Sequence, residues 1–227
     1  MKLNDVLSQL EKLGDPEVKR TKERFKINPN NSYGIFLKDI ESLAKLIGPN
    51  DELALQLFDS GIYEARLLCS KLYNRDHLSN QLMEKWISVF DNWEICDTFC
   101  MGLFGKSIFA VSKALEWSAY EAEYQKRAGF VCMVSHSFTH KYATNDEIRQ
   151  FFSIMIEHAS DERTYVMKGI NWALRQVGKR NRELHKEAID VAYEIMEIET
   201  KPAQWIAKDA LRQLKKPNVY FKNYPIH

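Results

Sequence analysis

The sequence has little of what a β-rich, secreted or membrane protein contains. Its six prolines leave the stretch between residues 49 and 202 without one, and glycine occurs only nine times in 227 residues. This distribution favours helices joined by short turns over a β-rich fold. No apolar run approaches the length of a transmembrane helix, and no secretory signal pattern is present. We therefore expect a soluble cytoplasmic protein without membrane contact, associated with the nucleoid if its source is bacterial.

Cysteine is scarce, and the net charge is close to zero. The four cysteines fall inside helical patterns, so we expect reduced, buried thiols; they are Cys69, Cys96, Cys100 and Cys132. Apolar residues make up 45% of the chain, which is enough for a sizeable core. The formal net charge of +1 argues neither for nor against a polyanionic partner. A case for nucleic acid must therefore rest on local patches.

Helix-start signals recur along the chain. Asp15 precedes Pro16 in "GDPEV", "TNDE" at 144–147 has the form of a capping box, and Pro202 follows Thr200 in "ETKPAQW". Strand-like alternation is hard to find outside the last residues, "PNVYFKNYPIH", which we interpret as a tail. The sequence predicts an all-α fold.

An aromatic residue followed three positions later by a base recurs in "YEAR", "YQKR", "YVMK" and "WIAK". These segments begin at residues 63, 124, 165 and 205, and Trp93 lies between the first two, giving aromatic spacings of 30, 31, 41 and 40. Such a repeat favours a HEAT-like α-solenoid of antiparallel helix pairs with a concave binding face. We expect one monomeric domain over 1–227 with a short basic tail at about 216–227. An irregular helical bundle is the alternative.

The segment "FDNWEICDTFC" at 90–100 places a carboxylate beside an aromatic in an apolar stretch. On a helix, Trp93 and Asp97 lie one turn apart on the same face, at the margin of the apolar arc. A carboxylate in such surroundings is costly unless something positive meets it. Asp97 could therefore meet a positively charged ligand, but from this helix alone capping of a local turn or pairing with a structural arginine is favoured.

The helix predicted over 161–177 has a polar, aromatic side opposite its apolar stripe. Tyr165, Lys168, Trp172 and Arg175 gather there. Their combination is typical of a surface for a nucleic acid backbone. Packing of Trp172 against the next repeat is the alternative.

Three stretches concentrate positive charge. Six basic residues and one acidic residue occur in 168–186, which includes Lys179 and Arg180, and the same numbers occur in 201–227. Five basic residues and one acidic residue occur in 19–26. Together with interleaved aromatics they favour nucleic acid binding, although each alone could be a solvated face.

Arg127 lies in a mostly apolar helical arc with Tyr124. A guanidinium there is either paired structurally or reaches a phosphate or carboxylate; from its own helix, structural pairing is favoured. The pair His136 and His140 and the pair Cys96 and Cys100 have one-turn spacing but lack further ligands at metal-site spacing, so we predict no metal site. No phosphate-binding or dinucleotide-binding glycine motif occurs.

From about "FLKDIESLAKLI" to "IAKDALRQL" the chain resembles the AlkD-type DNA alkylation-repair family, which are HEAT-like DNA glycosylases. The elements that carry the resemblance are "FDNWEICDTFC", "KRAGFV" and "VMKGINWALRQVGKRN". They map the family's Trp-x-x-x-Asp pair onto Trp93 and Asp97, its helix arginine onto Arg127 and its later tryptophan onto Trp172. The sequence departs from the family at Asn92, where members often carry a second aromatic.

The resemblance implies hydrolysis of the N-glycosidic bond of purines made cationic by alkylation, such as 3-methyladenine and 7-methylguanine, in double-stranded DNA and without a cofactor. Asp97, Trp93 and Trp172 would be catalytic, and Arg127 would hold a phosphate. Further DNA contacts are expected from Tyr165, Lys168, Arg175, Lys179 and Arg180. The alternative is a non-catalytic helical-repeat module that binds DNA or another protein.

Overall fold

The residues described by the computed structural model are 1–25, 27 and 31–225. Within these ranges the chain forms thirteen α-helices, two short 3-10 helices and no strand, which confirms the all-α prediction. None of these helices combines the length and the apolar character needed to cross a membrane. The chain divides into two compact units, Met1–Ser107 (unit 1) and Ile108–His227 (unit 2). The expectation of one continuous domain stays a prediction.

Unit 1 contains seven α-helices and both 3-10 helices. The α-helices are α1 (Leu3–Leu13), α2 (Pro16–Arg24), α3 (Leu37–Ile47), α4 (Asp51–Asp59), α5 (Tyr63–Leu72), α6 (Asn80–Ile87) and α7 (Trp93–Gly102), and the 3-10 helices are Arg75–His77 and Phe104–Lys106. Helix α5 packs against α3, α4 and α7. It therefore forms the centre of the unit.

Over its described residues, unit 2 contains six α-helices, five of which are longer than any in unit 1. They are α8 (Ala110–Ser118), α9 (Glu123–Thr139), α10 (Asn145–Glu157), α11 (Thr164–Val177), α12 (Arg182–Met196) and α13 (Lys201–Leu214). Successive helices pair as α8 with α9, α10 with α11 and α12 with α13, and α9, α11 and α13 also pack side by side. Stacked helix pairs of this kind are the HEAT-like arrangement that the repeat predicts.

Local sequence signals set several helix starts as predicted. The Asp15 side chain accepts a hydrogen bond from the Glu17 N–H at 2.8 Å, and the Thr144 hydroxyl accepts one from the Glu147 N–H at 3.2 Å. Pro202 lies in the first turn of α13 behind the N-cap Thr200. Side-chain oxygens satisfy N–H groups that the first helical turn leaves without partners.

The repeated aromatics fall at equivalent places. Tyr63, Trp93, Tyr124, Tyr165 and Trp205 lie in the first or second turn of α5, α7, α9, α11 and α13, respectively. The sequence repeat therefore marks every second helix from α5 to α13. The concave binding face and the monomeric state stay predictions.

Aromatic packing anchors α7 in unit 1. Phe99 of α7 lies within a cluster of buried rings, with its centroid 5.6 Å from that of Trp86 and 5.3 Å from that of Phe90. Burial of such large apolar side chains is the main stabilising contribution that a helical unit can make. This packing fixes the buried face of α7 and leaves its opposite margin near the surface.

A glycine permits a close helix approach in unit 2. A Cβ atom at Gly129 would lie 2.5 Å from the backbone nitrogen of Ser118, so only glycine fits where α9 crosses α8. The result is a tight α8–α9 pair.

The tail lies against the turn between α11 and α12. The Lys222 N–H donates to the Lys179 carbonyl at 3.0 Å, the Tyr224 N–H donates to the Arg180 carbonyl at 3.2 Å, and the Asn181 side chain donates to the Tyr224 carbonyl at 2.6 Å. The tail is thus a packed strap without strand structure over residues 216–225. Its last two residues, and Lys26 of the basic stretch 19–26, lie outside the described residues.

Candidate functional site

Asn92 holds the first turn of α7 from the N-cap position. Its buried Oδ1 atom accepts hydrogen bonds from the N–H groups of Glu94 and Ile95, at 3.0 and 3.2 Å, and lies 3.0 Å from the Tyr63 hydroxyl. Asparagine is among the best residues at this position because its oxygen reaches the unpaired N–H groups. Asn92, the position at which the sequence departs from the family pattern, is therefore a polar helix cap.

A buried ion pair lies beside this cap. The Lys22 ammonium is 2.7 Å from a Glu94 carboxylate oxygen, with side chains 8% and 13% exposed, and the Tyr63 hydroxyl lies 2.9 Å from the same oxygen. Burial and the charge of Glu94 raise the pKa of Tyr63, so its hydroxyl stays protonated and can donate. The network joins α2, α5 and α7 and fixes where α7 begins.

Trp93 and Asp97 project from the helix that this network holds. Trp93 is half-buried, and its indole N–H donates to the Phe25 carbonyl at 3.3 Å. Asp97 follows one turn later and is also half-buried, whereas Ile95, Cys96 and Phe99 are buried. Both side chains thus lie at the edge of the buried face, where the helical spacing predicts them.

Helix α9 positions the first turn of α11 through its backbone. The Glu123 carboxylate accepts a hydrogen bond from the Tyr165 N–H at 3.0 Å, and the Arg127 guanidinium donates to the Tyr165 carbonyl at 2.7 Å. The Tyr165 ring packs against Tyr124, and the exposed Lys168 ammonium lies 5.6 Å from the centre of the Tyr165 ring. The structure therefore brings Arg127, Tyr165 and Lys168 together, with Arg127 only 6% exposed.

The later part of α11 carries Trp172 and Arg175, and Lys179 follows its end. Trp172 is half-buried, and the Arg175 guanidinium lies 4.0 Å from the Asp209 carboxylate. Burial, together with the positive charges of Arg175 and Lys216, lowers the pKa of Lys179. These cations are close enough to repel one another, so an anion placed between them would be stabilised.

Arg180 has a different environment from the other predicted DNA contacts. Its side chain is completely buried, and its guanidinium donates to the carbonyls of Ser137, His140 and Ala143 at 2.7, 2.9 and 2.6 Å. The guanidinium also lies 5.3 Å from the centre of the Tyr224 ring. An arginine enclosed in this way cannot reach a phosphate, so we remove Arg180 from the residues proposed to contact DNA.

The histidine pair "HSFTH" forms a buried cluster within unit 2. A His136 ring nitrogen lies 2.5 Å from a Glu147 oxygen, and the His136 and His140 rings stack at 4.1 Å. Burial and the neighbouring His140 lower the pKa of His136 to about 4. All four cysteines are buried thiols, as expected. In the described ranges, no three histidine, cysteine or acidic side chains are arranged to hold a metal ion.

Unit 1 contains a group of cations that sequence analysis missed. Lys71, Arg75 and Lys106 line one cavity of about 510 Å³, and burial, together with the charges of Lys71 and Arg75, lowers the pKa of Lys106. The three come from α5 and from the two 3-10 helices. No run of bases in the sequence marks them, and only the fold assembles the cluster.

The all-α architecture and its stacked helix pairs define a HEAT-like helical-repeat protein. A sequence model described as "DNA alkylation repair enzyme" matches residues 6–214. The chain belongs to this family. It matches no curated protein sequence at a significant level.

Two solved structures share the fold. One, described as a new family of proteins related to the HEAT-like repeat DNA glycosylases with affinity for branched DNA structures, has 20% sequence identity and a TM-score of 0.72, covering 99% of both chains. The other, a protein from Streptococcus mutans UA159, has 20% identity and a TM-score of 0.55, covering 86% of this chain and 96% of that chain. At this level of identity the likeness establishes the fold alone.

Proposed function

We propose that this chain is a DNA-repair glycosylase that hydrolyses the N-glycosidic bond of cationic alkylated purines, such as 3-methyladenine and 7-methylguanine, in duplex DNA. The observation that carries the proposal is the position of Asp97, half-buried one turn after Trp93 on a helix whose start is fixed by a buried polar network. Membership of the DNA alkylation repair enzyme family supports it.

A single carboxylate suits this reaction. A purine alkylated at N3 or N7 carries a positive charge, so it departs as a neutral base and takes the electron pair of the glycosidic bond with it. The deoxyribose is left with positive charge spread over C1′ and the ring oxygen. Asp97 would stabilise that charge and orient a water molecule, which adds its hydroxyl to C1′ and releases a proton to solvent. No second carboxyl group is needed to protonate the leaving group, in contrast to the hydrolysis of ordinary glycosides.

The tryptophans would act on the same positive charge. An indole face stabilises a nearby cation by about 0.5–2 kcal/mol, most strongly where water is excluded. Trp93 precedes Asp97 by one helical turn and is held in place by its hydrogen bond to Phe25. We assign Trp93 and Trp172 to contacts with the cationic sugar and base.

Basic side chains of unit 2 would hold the DNA backbone. Lys168 is exposed, and Arg175 and Lys179 are half-buried. Each ammonium or guanidinium that neutralises a phosphate releases a counterion and adds affinity without reading the base sequence. Arg127 was expected to hold a phosphate, but it is 6% exposed and donates to the Tyr165 carbonyl, so we assign it to fixing the turn that presents Lys168. We propose double-stranded DNA as the partner of a monomer, without a cofactor.

The decisive test is base release from N-methylated duplex DNA under single-turnover conditions. For Asp97→Asn we expect a rate several hundredfold lower, equivalent to about 3–4 kcal/mol of lost transition-state stabilisation, with duplex affinity within about twofold. The control is Asp39→Asn, which alters a half-buried aspartate on α3 of the same unit; it should release base at the wild-type rate. Base release by Asp97→Asn at the wild-type rate would refute the assignment.

A second candidate function is DNA binding without base release. Two observations favour it: the solved structure that covers 99% of both chains is described by its affinity for branched DNA, and Asn92 is a buried cap where the resemblance leads one to expect an aromatic. If the wild-type protein releases no base but binds a four-way junction more tightly than a duplex of equal length, this candidate replaces the first.

A further inference from the structure

The strap at the end of unit 2 covers one side of a groove, and Lys179 is the one residue of its described lining that is also proposed to hold the duplex. The groove has a volume of about 410 Å³ and is lined, among others, by Lys179, Lys216 and Lys222 and by the rings of Phe138 and Tyr220. We call it the tail groove. The lining comes from the C-terminal ends of α9, α11 and α13, from Lys179 after α11, and from the strap itself.

The tail groove is a built feature, because two backbone hydrogen bonds fix the strap near its end. The Lys222 N–H donates to the Lys179 carbonyl, and the Tyr224 N–H donates to the carbonyl of Arg180. The Arg180 side chain is buried, and it donates hydrogen bonds to carbonyls at the end of α9 and in the turn that follows. The backbone positions of Lys179 and Lys222 are therefore set relative to each other before any ligand arrives, which reduces the entropy lost on binding.

The positive charge of the groove favours an anionic ligand. Three ammonium groups line it, and no carboxylate is among its described lining residues. Lys179 already loses part of its hydration by burial and is repelled by Arg175 and Lys216. A phosphate placed between the lysines would relieve this repulsion.

The aromatic rings narrow the choice of anion. Tyr220 is 75% exposed and Phe138 is 42% exposed, and the Lys222 ammonium lies 4.1 Å from the Phe138 ring centre and 5.5 Å from that of Tyr220. Exposed rings among cations are the means by which proteins bind unstacked bases together with their phosphates. In a duplex the base faces are covered by their neighbours, so these rings would find no partner there.

We propose that the tail groove binds a short single-stranded segment of DNA, with phosphates on Lys179, Lys216 and Lys222 and an unstacked base against Tyr220. It rests on the proposed function only in taking DNA as the macromolecule. The groove would thus direct the protein to duplexes that carry a single-stranded arm, a gap or a branch.

The test is fluorescence anisotropy with a labelled 12-nucleotide oligo-dT and with a blunt duplex, using the full chain. Tyr220→Ala should weaken oligo-dT binding roughly fivefold or more, which is the loss that one base-stacking contact gives. The double variant Lys216→Gln/Lys222→Gln should reduce the slope of log affinity against log salt by about 1.4 for the single strand, since each contact contributes about 0.7. Affinity for the blunt duplex should change less than twofold.

Tyr142→Ala and Lys186→Gln are matched controls, since both residues are exposed in unit 2 and neither lines the groove; both should bind oligo-dT as the wild type does. Equal binding of oligo-dT by Tyr220→Ala and the wild type would overturn the proposal. A second result would also overturn it: a polyglutamate peptide of equal charge that competes for the groove as strongly as unlabelled oligo-dT does. The groove would then recognise negative charge alone and would bind an acidic peptide equally well.

Base release from methylated duplex DNA, measured for the same variants, separates this inference from the proposed function. We expect the groove variants to stay within twofold of the wild-type rate. A wild-type protein that releases no base refutes the glycosylase, whereas oligo-dT binding that is insensitive to the groove variants refutes the groove.

Discussion

Glu64 in unit 1 and Arg180 in unit 2 are both completely buried, and they carry opposite charges. Glu64 accepts hydrogen bonds from the N–H groups of residues 33–35 and from the Ser32 hydroxyl. Arg180 donates to three carbonyls between residues 137 and 143. In the described part of the chain, Arg180 is thus compensated by peptide carbonyls and Glu64 by peptide N–H groups and one hydroxyl, and neither forms an ion pair.

The two sites differ in the peptide groups that they satisfy. Glu64 accepts from N–H groups of the loop that precedes α3. Arg180 donates to one carbonyl in the last turn of α9 and to two carbonyls in the residues that follow it. Buried peptide groups outside the helical hydrogen-bond pattern need such partners, so a buried carboxylate and a buried guanidinium each stabilise an irregular segment beside a helix.

The largest effect is expected for Arg180→Met, which keeps most of the side-chain volume and removes all the hydrogen-bond donors of the guanidinium. Three carbonyls would lose their partner in the interior, and a hydrogen bond to a charged group is worth roughly 1.5–3 kcal/mol. We expect the free energy of unfolding to fall by about 3–5 kcal/mol. Hydrogen exchange followed by mass spectrometry should show the loss first in residues 137–143. Exchange there at the wild-type rate would mean that the carbonyls do not depend on Arg180.

Glu64→Gln is the corresponding change in unit 1, with a smaller expected effect. The amide keeps one oxygen acceptor but places an NH₂ group among N–H donors, so part of the site becomes unsatisfied. We expect a loss of about 2 kcal/mol in urea denaturation, with faster exchange in residues 32–35. Glu52→Gln, at an exposed glutamate on α4, is the control and should change stability by less than about 0.5 kcal/mol.

These buried charges also show how far the sequence could be interpreted without the structure. The all-α fold, several helix starts and the repeat were accessible, because caps and periodicity are local. The half-buried positions of Trp93 and Asp97 were accessible for the same reason. Arg180 was not: its sequence context, a basic stretch, is the same whether its guanidinium faces solvent or three carbonyls.

Contacts between distant segments account for what the sequence did not predict. Lys22 and Glu94, 72 positions apart, form the ion pair that supports α7. The groups that line the tail groove come from the ends of α9, α11 and α13 and from the segments that follow α11 and α13. Neither set has a spacing that a single helix could reveal, so only packing assembles them.

The pH dependence of stability tests the titratable groups that surround Arg180. His136 on α9 faces His140 just after the end of that helix, Glu147 on α10 and the positive Arg180, and its pKa is lowered to about 4, first by burial. The unfolded chain binds this proton near pH 6.5. Between about pH 6.5 and 4, unfolding therefore takes up a proton, and stability falls as the pH falls, by at most about 1.4 kcal/mol per pH unit.

His136→Gln isolates that contribution, because glutamine retains an N–H donor toward Glu147 but does not titrate. Urea denaturation at pH 7.5, 6.0 and 5.0 should show a smaller acid-induced loss of stability in the variant than in the wild type. Equal losses in both proteins would assign the acid sensitivity to another group.

The smallest effect is expected at Lys168, which contrasts most directly with Arg180. Both were predicted to contact DNA from the same basic stretch, yet the Lys168 ammonium is exposed beside the Tyr165 ring, whereas Arg180 is enclosed. Lys168→Gln should leave the fold intact and lower the salt slope of duplex binding by about 0.9, the contribution of one phosphate contact. At physiological salt this amounts to a few-fold loss of affinity. Lys186→Gln on α12 serves as the control, and an unchanged slope for Lys168→Gln would place the duplex on another surface.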